Sequence, residues 1–131
     1  GNDEPIAAVV GEIIPSAEFY DYTAKYFDGG QSKLIIPADL PKETSEKIRE
    51  YAVRAYKTLD CAGFARVDFF VTKDTGEIYI NEINTIPGFT KFSMFSALFK
   101  AAGIDYPHVI ERIVDYGYER YNIKNSRKTN I

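Results

Sequence analysis

The chain has 131 residues, enough for one domain with its own core and small for two. Apolar residues make up 45% and aromatics 15%, with ten Tyr, nine Phe and no Trp, a folded composition that excludes a disordered segment. A formal net charge of −3 without a long basic block argues against a nucleic-acid partner, and no apolar run approaches membrane-spanning length.

The single cysteine, Cys61, cannot form an internal disulfide. It reads as a small core thiol in a reducing, cytosolic compartment. No signal peptide is apparent, and the opening Gly-Asn-Asp-Glu-Pro, without Met, reads as that of a piece of a longer chain.

In chain order, Pro5–Ile14 reads as a mostly buried strand ended by Pro15-Ser16. Ser16–Lys33 is a long connection carrying Phe19-Tyr20-Asp21-Tyr22-Thr23-Ala24-Lys25-Tyr26-Phe27. Its length suits a lid or binding loop, and its hydroxyls and lysine suit a phosphorylated ligand; aromatics that merely pin a loop to the surface are the plainer reading. Lys33–Ile36 is a short strand closed by Pro37. Past Leu40-Pro41 a helix is expected to about Asp60, with Thr44 or Ser45 near its cap and Glu46 in its first turn. Ile48, Tyr51, Ala52, Ala55, Tyr56 and Leu59 follow helical spacing and form its apolar face.

From Gly63 to Asn84, two runs rich in Phe, Val, Ile and Tyr flank a turn, the pattern of a β-hairpin. A three-residue loop Asp74-Thr75-Gly76, with Gly76 left-handed, sets Lys73 against Glu77. It also brings Asp68 opposite Glu82 and Arg66 opposite Asn84, all on one face. Two carboxylates and a carboxamide are hard oxygen donors that suit Mg²⁺, and Arg66 offers a fixed positive group for an anionic oxygen. The blander account is a solvated amphipathic face, which does not call for the Thr85-Ile86-Pro87-Gly88 turn that follows.

A helix from about Ser93 to Ala102, stopped by Gly103, comes next. Ser93 at its start is either an ordinary N-cap or part of a pocket for a carboxylate or phosphate. Pro107 starts a last helix to about Tyr121 with Ile110, Ile113 and Val114 inward; His108 reads as a surface histidine, and 122–131 as a polar tail. No repeats, zinc spacing, G-x-S-x-G or Walker-type loop occur. The arrangement predicts an α+β fold, a mainly antiparallel sheet packed on helices.

Taken together, Phe19–Tyr26, Ala65-Arg66-Val67-Asp68, Asn81-Glu82-Ile83-Asn84-Thr85-Ile86-Pro87-Gly88-Phe89-Thr90 and Phe92-Ser93-Met94 resemble the C-terminal part of D-alanine–D-alanine ligases, of the ATP-grasp superfamily. The likeness spans roughly Pro5–Tyr121 in order, and its Glu-x-Asn-Thr-x-Pro-Gly run is specific. It implies a cytoplasmic enzyme of peptidoglycan-precursor and cell-wall synthesis in which ATP phosphorylates one D-alanine and the amine of a second attacks the acyl phosphate. Carried over, Asp68 and Glu82 would hold one Mg²⁺ (or Mn²⁺) and Glu82 with Asn84 a second. Arg66 would stabilise the tetrahedral oxyanion, and Gly88 would let backbone approach it. Ser93 and the Met94 amide would grip the acceptor's carboxylate. Lys25 and Tyr20 would face the nucleotide, and Tyr26 would hydrogen-bond across the site from a closing lid.

The Lys25-Tyr26 pair implies an amino-acid acceptor, D-alanine; Met94, where leucine is common, keeps D-serine open. Such enzymes also carry N-terminal and central lobes and are expected to be homodimers, so this chain is expected to be inactive alone. Another carboxylate–amine ligase of the superfamily, or a non-catalytic binding module using the wet hairpin face, are the competing expectations.

Overall fold

Gly76 takes φ +70°, and its N–H reaches back to the Thr72 carbonyl (3.0 Å) while the Thr72 N–H meets the Glu77 carbonyl (3.0 Å). The hairpin loop is therefore the four residues 73–76, one more than the spacing predicts, and Thr72 rather than Lys73 stands against Glu77. In the computed structural model, which describes residues 1–14 and 33–126, this loop joins strands β3 (Arg66–Val71) and β4 (Ile78–Asn84). By itself a four-residue loop would slide Glu82 onto the wrong face. A β-bulge at Asn81 restores the alignment. Phe69 pairs with Ile80, Asp68 with Glu82, Val67 with Ile83 and Arg66 with Asn84. The four polar residues share a face, as expected, through a bulge that the sequence reading did not include.

The hairpin's other face meets α1 (Lys42–Thr58), which packs against β4. Ile48 and Tyr56 are its buried residues. Tyr51 and Leu59, expected inward, stay exposed and line a hollow of about 380 Å³ against Phe69, Ile78 and Ile80. The N-cap of α1 is Pro41, which has no side-chain acceptor to offer. Thr44 and Ser45 already lie within the helix, and Glu43, not Glu46, is the acidic residue of the first turn. At the far end Asp60 takes φ +51°, its N–H bonding Lys57 O (3.2 Å) and that of Cys61 bonding Tyr56 O (3.1 Å). This pattern closes a helix and ordinarily calls for glycine.

Pro5–Ile14 is not a continuous strand. Only β1 (Glu12–Ile14) pairs, with β2 (Lys33–Ile35), in a second antiparallel two-stranded sheet, and Ile13 and Ile14 are exposed. The rest of the segment is occupied otherwise: Ala7 O accepts from Arg49 Nη2 (3.0 Å) and Val10 O from the Ala38 N–H (2.8 Å). Asn2 ties loop to helix, accepting from the Gly63 N–H (3.2 Å) and donating to Tyr116 O (3.1 Å). Burial pushes the Tyr56 phenol up to about 12, so it stays protonated and donates to Gly1 O (2.6 Å). Cys61 is half-buried, less enclosed than the core thiol expected.

Helices α2 (Met94–Ala101) and α3 (Tyr106–Ser126) pack together. Phe64, Phe89, Phe95, Phe99 and Tyr106 form a chain of tilted ring contacts with centroids 5.0–5.8 Å apart, a favourable aromatic geometry. Gly103 (φ +85°) ends α2, its N–H on Lys100 O (3.0 Å) and that of Ile104 on Phe99 O (2.9 Å). On α3 the buried residue is Val109, while Ile110 and Val114 are exposed. Ile113 turns inward as expected, but its companions on that stripe are Val109 and Tyr116 in place of Ile110 and Val114. The helix also continues five residues past Tyr121.

Asp105 starts α3: its carboxylate accepts from the His108 N–H (3.2 Å) and also engages His108 Nδ1. His108 is exposed, as expected, but has this acidic partner. The hydrogen bond to Asp105 raises the imidazole above its ordinary 6.5, and the bonds to the His108 ring and backbone hold Asp105 below 3.8. A raised base stabilises the fold below its unfolded value and loses that contribution as pH climbs through the folded one; a lowered acid does so above its unfolded value and loses it as pH falls. The pair is therefore fully formed between 3.8 and 6.5.

Two predictions arise from these helix ends. Asp60→Gly should raise stability in urea unfolding by about 1 kcal/mol, and Gly103→Ala should lower it by a similar amount. In an NMR titration the His108 ring should show a midpoint above 6.5 that moves down toward that value in Asp105→Asn.

Candidate functional site

The candidate site lies on the hairpin face turned away from α1. Because β3 alternates, Phe69 faces the helix while Arg66, Asp68 and Phe70 face the other way. Arg66 is forked onto Asp68, Nε to Oδ1 at 2.7 Å and Nη2 to Oδ2 at 2.8 Å. Nη2 also lies 3.7 Å from Glu82 Oε1. The guanidinium thus stands between two carboxylates that would otherwise repel across the strands. Side-chain exposure is 19% for Arg66, 27% for Asp68 and 41% for Glu82, so the cluster is partly shielded from water yet reachable. A bidentate pair in that setting is stronger than a surface ion pair.

Asn84, opposite Arg66, ends β4 with its Oδ1 accepting from the Ile86 N–H (3.0 Å). Among the described residues no group of three or more His, Cys, Asp and Glu could hold a metal ion. The donor set here is two carboxylates plus a carboxamide oxygen, which suits a hard cation with few protein ligands such as Mg²⁺. The residues fit that ion chemically, while both Asp68 oxygens are engaged by Arg66.

Gly88, Ser93 and Met94 form a second group on the segment entering α2. Ser93 is its N-cap and accepts from the Ser96 N–H (3.4 Å), the ordinary role weighed for it above. Its hydroxyl donates to Thr90 O (2.8 Å), which also accepts from Ser96 Oγ (2.6 Å) and the Ser93 N–H (3.0 Å). Ser96, 2% exposed, is the buried anchor of this turn. Among the described residues, chain neighbours apart, nothing lies within 4 Å of where a Cβ would stand on Gly88, so their packing does not demand glycine there. Tyr20, Lys25 and Tyr26 lie outside the described residues.

Two residues passed over in the sequence extend the site face. Phe70, 63% exposed, follows Asp68 by two positions, and its partner Tyr79 is 53% exposed. The signal was available: period two puts an aromatic pair beside the carboxylates, on a face that otherwise reads as polar. The structure also keeps Ile86 and Phe92 exposed on the segment between β4 and α2.

Comparison with known proteins bears on what this arrangement belongs to. A family model described as the D-ala D-ala ligase C-terminus matches residues 1–115. A D-alanine–D-alanine ligase from Acetivibrio thermocellus is 62% identical over 122 residues, covering 93% of this chain and 32% of that protein. The solved D-alanine–D-alanine ligase of Coxiella burnetii superposes with a TM-score of 0.81 at 33% identity, over 96% of this chain and 32% of the other. A D-Ala:D-Ser ligase from Enterococcus faecalis gives a TM-score of 0.76 at 42% identity, over 88% and 33%. The chain spans about a third of the length of the relatives it matches. With the family model matching most of the chain and the α+β architecture shared with these solved structures, the chain belongs to the D-alanine–D-alanine ligase C-terminal family.

Proposed function

We propose that this chain is the cation- and acceptor-binding lobe of an ATP-dependent ligase that joins two D-alanines for peptidoglycan-precursor synthesis. The observation that carries the reading is the cross-strand pairing of Asp68 with Glu82, with Arg66 between them and Asn84 opposite it. Asp68, Glu82 and Asn84 would hold Mg²⁺ or Mn²⁺, which supplies charge neutralisation to the phosphates when bound. Arg66 supports the reading as a fixed cation for the anionic reacting group. Phe70 and Tyr79, flat and exposed beside the carboxylates, suit the ring of a nucleotide.

The turn into α2 would take the acceptor. Ser93 Oγ and the Met94 N–H sit at a helix start, where backbone N–H groups favour a carboxylate, and Gly88 leaves room for an approaching backbone. Lys25, Tyr20 and Tyr26 keep the nucleotide and lid roles that the family likeness implies for them. Turnover would require the N-terminal and central lobes that such ligases carry, and the whole enzyme would act in the cytoplasm as a homodimer. No helix among the described residues is long and apolar enough to cross a membrane. D-serine is the second acceptor to consider, because the Enterococcus faecalis D-Ala:D-Ser ligase is 42% identical.

Adding Mg²⁺ with a non-hydrolysable ATP analogue to the ¹⁵N-labelled chain should shift signals at Asp68, Glu82 and Asn84, and Glu82→Gln should weaken the effect more than about tenfold. Unchanged binding in the variant would remove Glu82 from the cation's shell. D-Alanine and D-serine, titrated separately, should perturb the Ser93 and Met94 amides, and the larger response at equal concentration marks the acceptor. Silence at both amides would set aside the acceptor role of this turn.

A further inference from the structure

The cation reading and the Arg66–Asp68 contact compete for the same carboxylate. Both Asp68 oxygens face the guanidinium, at 2.7 Å and 2.8 Å, and its Nη2 also leans toward Glu82 at 3.7 Å. A divalent cation seeking the same carboxylate edges meets a positive group already seated there. Mg²⁺ demands short, octahedral oxygen contacts and shares poorly with a neighbouring cation.

We propose that Arg66 is an exchangeable internal counter-ion of the Asp68–Glu82 pair, displaced from Asp68 when the cation binds. The inference rests on the proposed cation role of these residues and adds an order of events to it. Before the cation arrives, Arg66 neutralises the carboxylates. Once the cation takes Asp68, the fork opens. The guanidinium, held to the same face by its strand, then becomes available for an anionic oxygen brought in beside it. Anion capture by Arg66 is thereby conditional on the metal. The cost is metal affinity, because each cation must first break a charge-assisted, partly shielded bidentate pair.

The test uses Mg²⁺ alone, followed through backbone amides and the Arg66 Nε–H signal. In the wild-type chain the Nε–H should move in step with the Asp68 and Glu82 amides, which needs no variant. Arg66→Gln should bind Mg²⁺ about tenfold more tightly, the factor expected for removing one good charged contact. Arg66→Lys keeps the charge but cannot fork, and should share most of that gain.

An Nε–H signal that stays put while the carboxylate amides shift, with Lys and Gln variants no tighter than wild type, would overturn the exchange and leave the cation site standing. A gain in Arg66→Gln alone would likewise assign the effect to charge and overturn the fork. No shift at Asp68, Glu82 or Asn84 in any of the proteins with Mg²⁺ alone would overturn the exchange, and the same silence with the ATP analogue present would sink the cation reading as well.

Discussion

Two carboxylates placed opposite each other on neighbouring strands are an electrostatic liability, and the architecture around Asp68 and Glu82 is arranged to sustain it. Arg66 stands between them and offsets their mutual repulsion. That solution depends on register. A four-residue loop ending at left-handed Gly76 sets the outer half of the hairpin, and the bulge at Asn81 brings the inner half back into phase. Bulges increase local twist and re-aim side chains. Here the bulge sits beside the residue pair that the proposed chemistry needs.

The second half of the chain is held differently. The turn into α2 is closed by a knot of hydrogen bonds on Thr90 O, with Ser96 buried beneath it and Phe95 in the aromatic chain alongside. A side chain at Ser93 that already caps a helix has a fixed orientation, which is what a binding role at that position would require. The capping role and the proposed carboxylate contact are therefore compatible. The first explains how the second could be positioned.

The distribution of apolar surface fits a chain that spans a third of its relatives. Phe70, Tyr79 and Ile80 on the hairpin, Ile13, Ile14 and Leu34 on the short sheet, and Ile86 and Phe92 before α2 are all exposed. Against that, the buried apolar core is small, with Ile48, Tyr56, Phe95 and Val109 its most enclosed members among the described residues. Patches of this kind commonly mark contact surfaces.

Local pattern determined a good deal of this protein. Alternation and turn residues specified the hairpin and put Arg66 with Asp68, and Glu82 with Asn84, on one face of their own strands, while the bulge at Asn81 was needed to bring the two pairs to the same face. Helical spacing and Gly103 specified α2 nearly to the residue, since an N-cap serine and a left-handed glycine are local devices. Motif likeness carried the family. What only the tertiary structure decided were matters of partnership. Whether Pro5–Ile14 became a strand depended on what met its carbonyls, and Arg49 and Ala38 took them in place of a ladder. Which residues of α3 joined Ile113 on its inward face depended on the helix beside it, which took Val109 and left Ile110 and Val114 exposed. Most of all, the sequence shows a cation beside two carboxylates but not which of them it will fork onto. Side-chain ion pairing is a three-dimensional competition among groups on the same face, and the folded hairpin resolved it in favour of Asp68.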